Sequence, residues 1–168
     1  EWLRASGHTG TKEGCAEGDC GACTIGLLDD GPTGPTWRSV CSCIMLLPQV
    51  FDRHIVTVEG LDDDGVLHPA QDAMVKALGS QCGYCTPGFV MSLFEATYRS
   101  DIDQPWQKDD QLCGNLCRCT GYRPIRDALE SVAGSRPSDR FSEELNHVPQ
   151  AGPIDFTHGE QRFVRPDS

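Results

Sequence analysis

Ten cysteines, arranged in short groups, are the residues of this 168-residue chain that are best suited to chemistry. In a secreted protein such a number would indicate disulfides, but no signal-peptide pattern opens the sequence, and the spacings are those of paired metal ligands. Thiolates are soft ligands that bind zinc and iron. We therefore interpret the cysteines as metal ligands, and the spacing within each group indicates which centre to expect.

The first group lies in a glycine-rich stretch and has the spacing C-x4-C-x2-C. It consists of Cys15, Cys20 and Cys23. Followed by a fourth cysteine further along the chain, this spacing is the plant-type [2Fe–2S] pattern. Interleaved glycines allow the loop to curl and to turn backbone N–H groups toward the sulfurs, which stabilises an anionic cluster. These glycines are Gly14, Gly18 and Gly21.

Two further pairs each precede a helix start that proline marks. A C-x-x-C pair comes first and a C-x-C pair follows, namely Cys82 with Cys85 and Cys117 with Cys119. Pro87 and Pro124 stand after the two pairs, and proline suits the first turn of a helix, where its missing N–H costs nothing. Each pair is therefore expected at a helix N-terminus, where free N–H groups and the dipole favour thiolates. Two such termini facing each other would form a cage of four thiolates.

The elements around the first group are predicted to be strands. Apolar or β-branched runs at residues 24–28, 37–40 and 54–58, with a turn at 29–35, indicate a β-meander. Cys41 and Cys43 lie between the second and third strands, and one of them should close the first cage. The spacing alone does not choose between them.

The chain after an acidic stretch at residues 61–65 has helical periodicity, and we place a domain boundary there. Helices are predicted at residues 69–78, from the cap residue Thr86 onward, at 109–112 and at 124–132. Four helices in antiparallel order fit a small bundle. The periodicity is lost from Ser135 onward. The predicted organisation is a first domain at residues 1–62, a helical domain at 63–135 and a linker at 136–168.

The charge balance limits the possible partners. The chain has 14 Lys and Arg residues against 25 Asp and Glu residues, a formal net charge of −11. Such a surface disfavours nucleic acid and offers no basic face to a membrane. No apolar run approaches the roughly 18 residues that a membrane-spanning helix needs. We expect a cytoplasmic protein that has no nucleic-acid partner and no membrane span.

Three stretches, residues 11–24, 81–92 and 114–125, closely resemble the iron–sulfur portion of the xanthine dehydrogenase (molybdenum hydroxylase) family. The resemblance covers residues 1–135 and implies an α+β fold, in which a plant-ferredoxin-like β-grasp [2Fe–2S] domain precedes a four-helix-bundle [2Fe–2S] domain. Matching motif to motif, the ligands of the first cluster would be Cys15, Cys20, Cys23 and Cys43, and those of the second Cys82, Cys85, Cys117 and Cys119. Cys43 is preferred because the family's fourth cysteine stands a fixed distance before a V-E-G segment, here residues 58–60.

The resemblance also implies electron transfer as the function. In the family, a substrate such as a purine is hydroxylated at a molybdenum–pterin cofactor, and electrons pass through the helical-domain cluster, the ferredoxin-like cluster and FAD to NAD. Gln81 and Cys119 match the residues that the family places beside the pterin. We expect a hetero-oligomer with a molybdenum-binding large subunit and an FAD domain or subunit, and no catalytic residue in this segment.

The two ends of the chain also compare with the family. The family's opening strands are absent, which suggests truncation, and residues 161–168 resemble the entry to its flavin domain. This tail favours the xanthine dehydrogenase arrangement, in which the iron–sulfur and flavin parts share one chain.

Alternatives stay open at this point. The chain could instead be the small iron–sulfur subunit of a carbon monoxide, aldehyde or N-heterocycle dehydrogenase, because it contains no substrate motif. A stand-alone ferredoxin conflicts with the helical second domain. A zinc-binding interaction module could use the C-x-x-C and C-x-C pairs, although the glycine-rich first group is a poor zinc signature. Cys41 and Cys113 are spare on the family's pattern, and Cys41 should point away from Cys43 in a strand-like segment.

Overall fold

The computed structural model describes residues 1–32, 34–146 and 152–165 of the chain. Its helices are α1 Trp2–Ala5, α2 Leu47–Val50, α3 Pro69–Lys76, α4 Thr86–Tyr98, α5 Pro105–Leu112, α6 Arg123–Val132 and α7 Arg140–Glu144. Its strands are β1 Thr24–Gly31, β2 Gly34–Cys41, β3 Ile55–Val56, β4 Ile154–His158 and β5 Gln161–Arg165. Short 3-10 helices span Ser42–Ile44 and Val58–Leu61. The predicted mixture of helix and sheet is confirmed.

The first sheet has β1 at its centre, in the order β2-β1-β3. β1 pairs antiparallel with β2 along its whole length, and its other edge pairs with the short β3. The predicted meander is therefore wrong in its connections, because the chain leaves β2 through a 3-10 turn and α2 and returns on the far side of β1. Residues 24–28 are buried without interruption, as fits a central strand.

Helix α4 is the central helix of the fold. It packs against β1 and β2 on one side and against α3, α5 and α6 elsewhere. The predicted stripe on this helix, which includes Val90, Leu93 and Phe94, is buried as expected. Thr86 is not its cap, since Cys85 occupies the N-cap position and the Thr86 hydroxyl donates to Ser80 Oγ at 2.8 Å. The helix thus begins directly at a cysteine.

Prolines stand in the first turns of the four longer helices α3 to α6, which confirms the use of proline as a start signal. Helix α5 begins at Pro105, earlier than predicted. The reason is a cap that the sequence analysis overlooked: the Gln104 N–H donates to Gln107 Oε1 at 2.8 Å.

One hydrophobic core includes residues from both predicted domains. Trp37 of β2 packs edge to face against Phe94 of α4, with ring centroids 5.2 Å apart. Leu28 and Leu61 belong to the same cluster. The sheet and the helices therefore bury their apolar faces against each other, and this packing holds the two cysteine-bearing regions in a defined relation.

Part of the segment that we interpreted as a linker, residues 136–168, packs into this core. Phe141 of α7 is buried and lies 5.0 Å from Phe94 between ring centroids. The Trp37 indole N–H donates to the Phe141 carbonyl at 3.1 Å. A single aromatic residue in a polar stretch creates no periodic pattern, so the sequence did not indicate that Phe141 is buried.

The last described residues form a hairpin. Strands β4 and β5 pair antiparallel, with Phe156 opposite Phe163. The linker-like residues 148–151 and the tail residues 166–168 lie outside the described residues. Among the described helices, none combines the length and the apolar character that crossing a membrane requires.

Candidate metal centres

The loop that carries Cys15 and Cys20 directs backbone N–H groups at a sulfur. Cys15 Sγ accepts from the N–H groups of Glu17, Asp19 and Cys20 at 3.5, 3.4 and 3.4 Å. These bonds, with the one from Glu17 the largest contributor, lower the pKa of Cys15 to about 7. A thiolate at this position is therefore stabilised before any metal binds.

The glycines of the loop are required by close packing. A Cβ at Gly14 would lie 2.9 Å from Cys20 Sγ, and one at Gly21 would lie 2.2 Å from the Gly114 carbonyl oxygen. Gly21 also has a φ of 70°, in the left-handed region that favours glycine. The predicted curl of the loop is confirmed, and it draws the backbone tightly around the sulfurs.

The structure brings both candidates for the fourth position to the first group. Cys41 ends β2, and Cys43 lies in the 3-10 helix Ser42–Ile44. Both thiols contact the thiol of Cys23. The strand ends at Cys41 and a 3-10 turn follows, so the strand alternation behind the expectation that Cys41 points away from Cys43 does not continue to Cys43. Burial is the main cause that raises the pKa of each of the two thiols.

The second group forms a cage of four thiols in two close pairs. Cys82 contacts Cys119, and Cys85 contacts Cys117. All four line one cavity of about 440 Å³, whose other walls are Tyr84, Leu116, Arg118 and Tyr122. The predicted convergence of the C-x-x-C and C-x-C pairs is visible in this cavity.

Each pair of the second cage combines one thiol of lowered pKa with one of raised pKa. The Tyr84 N–H lowers the pKa of Cys82, whose thiol in turn raises the pKa of Cys119. Burial raises the pKa of Cys85 to about 12. In each pair the thiol of lowered pKa is the easier one to deprotonate, and binding of iron requires both thiols to lose their protons.

Cys117 owes its lowered pKa to a threonine that follows it. Burial alone would raise the pKa of Cys117, but the Thr120 hydroxyl, 3.2 Å from Cys117 Sγ, and nearby backbone N–H groups outweigh burial. The Cys117 N–H donates to Tyr122 Oη at 2.9 Å. Tyr122 has a φ of 67°, and this left-handed turn allows α6 to begin immediately after the cysteine loop.

Direct hydrogen bonds join the two groups of cysteines. The Leu116 N–H donates to the carbonyl of Cys20 at 3.0 Å, and the Asn115 side chain donates to the carbonyl of Gly21 at 3.1 Å. On the other side, Lys12 Nζ donates to the Gly83 carbonyl at 2.9 Å. Cys20, a predicted ligand of the first group, is therefore one hydrogen bond away from the residue that precedes Cys117.

Gln81 lies next to Cys82 at the surface. Gln81, Cys82 and Cys119 are all exposed. Cys113, at the C-cap of α5, is exposed and does not line the cavity of the second cage. This edge of the second cage is accessible to another molecule or to another part of the same protein.

The thiols fit a diiron cluster. The thiols of the second cage approach in two pairs, and a [2Fe–2S] cluster takes four cysteines, two on each of its irons. Backbone N–H groups aimed at Cys15 and the hydroxyl beside Cys117 supply the hydrogen bonds that stabilise such an anionic group.

The residues that support these groups were not marked by any pattern in the sequence. Thr120 and Tyr122 stand in the C-R-C-T-G-Y stretch that carried the resemblance, but their roles depend on a turn that only the folded chain shows. Lys12 and Asn115 bond to backbone carbonyls far away in sequence. No local pattern marks such residues.

Known proteins resemble this chain in both sequence and structure. Residues 57–130 match the family of [2Fe–2S] binding domains. The chain is 49% identical over 134 residues to the xanthine dehydrogenase of Oryza sativa subsp. japonica, covering 77% of this chain and 10% of that protein. It is 43% identical over 174 residues to the xanthine dehydrogenase of Dictyostelium discoideum, covering 99% of this chain and 12% of that protein. The chain spans about a tenth of the length of these relatives.

A solved structure provides a match over most of both chains. In quinoline 2-oxidoreductase from Pseudomonas putida 86, one chain aligns with a TM-score of 0.63 and 33% identity, covering 84% of this chain and 78% of that chain. The aldehyde oxidoreductase of Desulfovibrio gigas aligns with the same TM-score and identity over 85% of this chain and 15% of its own. The two cysteine cages agree with these similarities in sequence and structure. The chain therefore belongs to the xanthine dehydrogenase (molybdenum hydroxylase) family, of which it is the iron–sulfur part.

Proposed function

We propose that this chain carries electrons within a molybdenum hydroxylase, from a molybdenum–pterin site through two [2Fe–2S] clusters to FAD. The observation that supports this most directly is the hydrogen bond from the Leu116 N–H to the Cys20 carbonyl, because it links the two cysteine groups through a short bonded path. Each cluster, when bound, accepts and releases one electron at a time. The chain's part is to hold the two clusters close together and to shield them.

The proposed ligands are those that the resemblance implied. The first cluster is held by Cys15, Cys20, Cys23 and Cys43, and the second by Cys82, Cys85, Cys117 and Cys119. The N–H groups that converge on Cys15 and the contact of Cys43 with Cys23 support the first set. The shared cavity and the two thiol pairs support the second set.

The proposed domain arrangement follows the same division. Residues 1–62 form a ferredoxin-like domain around the first cluster, residues 63–135 form the helical domain around the second, and the remainder leads toward an FAD domain. The strand pairing on β1 and the four helices α3 to α6 support this division. Helix α7 modifies it, because Phe141 ties the start of the last segment to the core.

Gln81 and Cys119 are proposed to face the molybdenum–pterin cofactor. Both are exposed at the edge of the second cage, and a glutamine amide offers two donors and one acceptor to a pterin ring edge. The helical domain would then face the molybdenum-binding part of the enzyme. Electrons would enter at the second cluster and leave from the first toward FAD and NAD.

Xanthine dehydrogenase is the proposed enzyme because relatives of that name align with most of the chain, and one of them aligns with 99% of it. This proposal includes xanthine oxidation in purine catabolism, a molybdenum-binding large subunit and a cytoplasmic location. A quinoline or aldehyde oxidoreductase is the second candidate, since structures of both kinds align at 33% identity. Comparing the rates with xanthine, quinoline and an aldehyde in the purified enzyme distinguishes the two.

Metal analysis tests the electron-transfer function itself. The purified enzyme should contain about four irons and about four acid-labile sulfides for each copy of this chain, from two clusters of two irons each. Reduction should produce two distinct electron paramagnetic resonance (EPR) signals, because the two cages differ in exposure and hydrogen bonding. A colourless protein with bound zinc would support the interaction module instead, and a single cluster per chain would contradict the assignment.

A further inference from the structure

The first group of thiols has one more member than a [2Fe–2S] cluster needs. Four cysteines complete such a cluster, yet five are gathered at this site. The Cys41 thiol contacts the Cys23 thiol and interacts electrostatically with the remaining three, which are Cys43, Cys15 and Cys20. Cys41 is therefore a member of the site by position, although the family's pattern leaves it without a role.

Cys41 and Cys43 share two partners. Both thiols interact with the Cys23 thiol, and both approach the backbone of Gly18. The Cys41 thiol lies 3.6 Å from the Gly18 carbonyl, and Cys43 accepts from the Gly18 N–H. The two sulfurs thus lie against the backbone of the same residue, Gly18, and both interact with the Cys23 thiol.

The backbone between them is anchored to the site. Cys41 is paired in register with Thr24, the neighbour of Cys23. The Ser42 hydroxyl donates to the Cys23 carbonyl at 2.8 Å. These bonds keep the segment that carries both cysteines against the first group, whichever of the two thiols binds.

We propose that Cys41 is an alternative fourth ligand of the first [2Fe–2S] cluster, so that the cluster persists when Cys43 cannot bind. This inference rests on the proposed function. In an exchange between the two, the bond from iron to Cys43 Sγ breaks and a bond from the same iron to Cys41 Sγ forms. The proton that the Cys41 thiol loses is taken up by the Cys43 thiolate, and no electron is transferred.

Alanine variants of the whole enzyme test the proposal, because alanine cannot bind iron. The variants are Cys41→Ala, Cys43→Ala and the double variant, with Cys113→Ala as the matched control at an exposed cysteine outside the site. Iron and sulfide are counted, and the EPR spectrum of the reduced protein is recorded. The signal of the second cluster shows in every variant that the chain has folded.

Cys43→Ala should retain about four irons per chain, and one of its two EPR signals should change because one ligand has been replaced. Cys41→Ala and Cys113→Ala should match the wild type. The double variant should hold about two irons and keep only the signal of the second cluster. Combining Cys43→Ala with Cys113→Ala should leave the iron content of Cys43→Ala unchanged.

Other outcomes overturn the proposal. If Cys43→Ala alone falls to about two irons while the wild type holds about four, Cys41 does not bind and only this inference fails. Loss of the first cluster in Cys41→Ala with an unchanged Cys43→Ala would make Cys41 the sole ligand and would also refute it. A wild type with fewer than about four irons contradicts the two-cluster function itself, and the inference with it.

Discussion

A buried histidine should make the stability of this protein depend on pH. His68 is the N-cap of α3 and only 5% exposed. Its Nδ1 accepts from the Ala70 N–H at 3.1 Å, which places the ring proton on Nε2, 2.7 Å from Tyr98 Oη. Tyr98 donates in turn to Asp139 at 2.5 Å. The neutral ring is thus fully bonded, and a second proton would break the bond from Ala70.

The magnitude follows from the pKa of His68. Burial is the main cause that lowers this pKa to about 4; Asp139 opposes the shift and Arg140 adds to it. In the unfolded chain the pKa is about 6.5. Between these two values the unfolded state binds more protons, so stability is complete above about pH 6.5 and is lost as the pH falls toward 4. From pH 7.5 to pH 5.5 the free energy of unfolding should decrease by about 1 kcal/mol through His68 alone.

The assay is urea unfolding, followed by circular dichroism, at pH 7.5 and pH 5.5. The matched variant is His68→Asn, since asparagine can accept the Ala70 N–H as an N-cap but does not titrate. Subtracting the pH effect in the variant from that in the wild type removes the contributions of other groups and of the clusters. We expect a difference of about 1 kcal/mol. Equal pH effects in the two proteins would refute the assignment of a buried neutral ring.

Three further substitutions have expected effects. Gly88→Ala should destabilise the fold by about 1–3 kcal/mol in thermal or urea unfolding, because its Cβ would lie 2.1 Å from the Gly21 carbonyl oxygen. Thr120→Val should lower the reduction potential of the second cluster in an EPR-monitored titration, because it removes the hydroxyl beside Cys117 Sγ. Gln81→Ala should leave both clusters assembled but slow their reduction by substrate in stopped-flow measurements.

Each of these substitutions has a control and a contrary outcome. A Cβ at Gly60 would meet only Val56 Cγ2, at 4.0 Å, so Gly60→Ala should change stability little. An equally small effect of Gly88→Ala would contradict the steric argument. Thr120→Ser should keep the wild-type potential; a shift in both variants would show that the hydroxyl is not the cause. Gln81→Ala with normal reduction kinetics would place the electron entry elsewhere, and Gln71→Ala, away from the cages, should be normal in any case.

Local chemistry in the sequence was sufficient to predict the cysteine cages and most of the helices. The C-x4-C-x2-C spacing with its glycines specifies a loop that can direct N–H groups at a sulfur, and the structure shows them converging on Cys15. Proline in the first turn marked α4 and α6 correctly. These features depend on neighbours within a few residues, and such short-range constraints can be read directly from the order of residues.

Features that depend on distant partners were decided only by the tertiary structure. The pairing of β3 with β1, instead of β2, follows from the path of the chain through α2. Phe141 is buried because Trp37 and Phe94 leave a site for it, although nothing in its own surroundings predicts a core residue. The hydrogen bond between Leu116 and Cys20 likewise exists only because the sheet and the helices share one core.

The fourth ligand of the first cage shows the same division. The sequence predicted that either Cys41 or Cys43 would complete the cage, and alternation along a strand suggested that only one could reach it. The folded chain ends its strand at Cys41 and turns, so both thiols meet Cys23. Spacing determines how many thiols are available, whereas the turn in the backbone determines which of them can reach the metal.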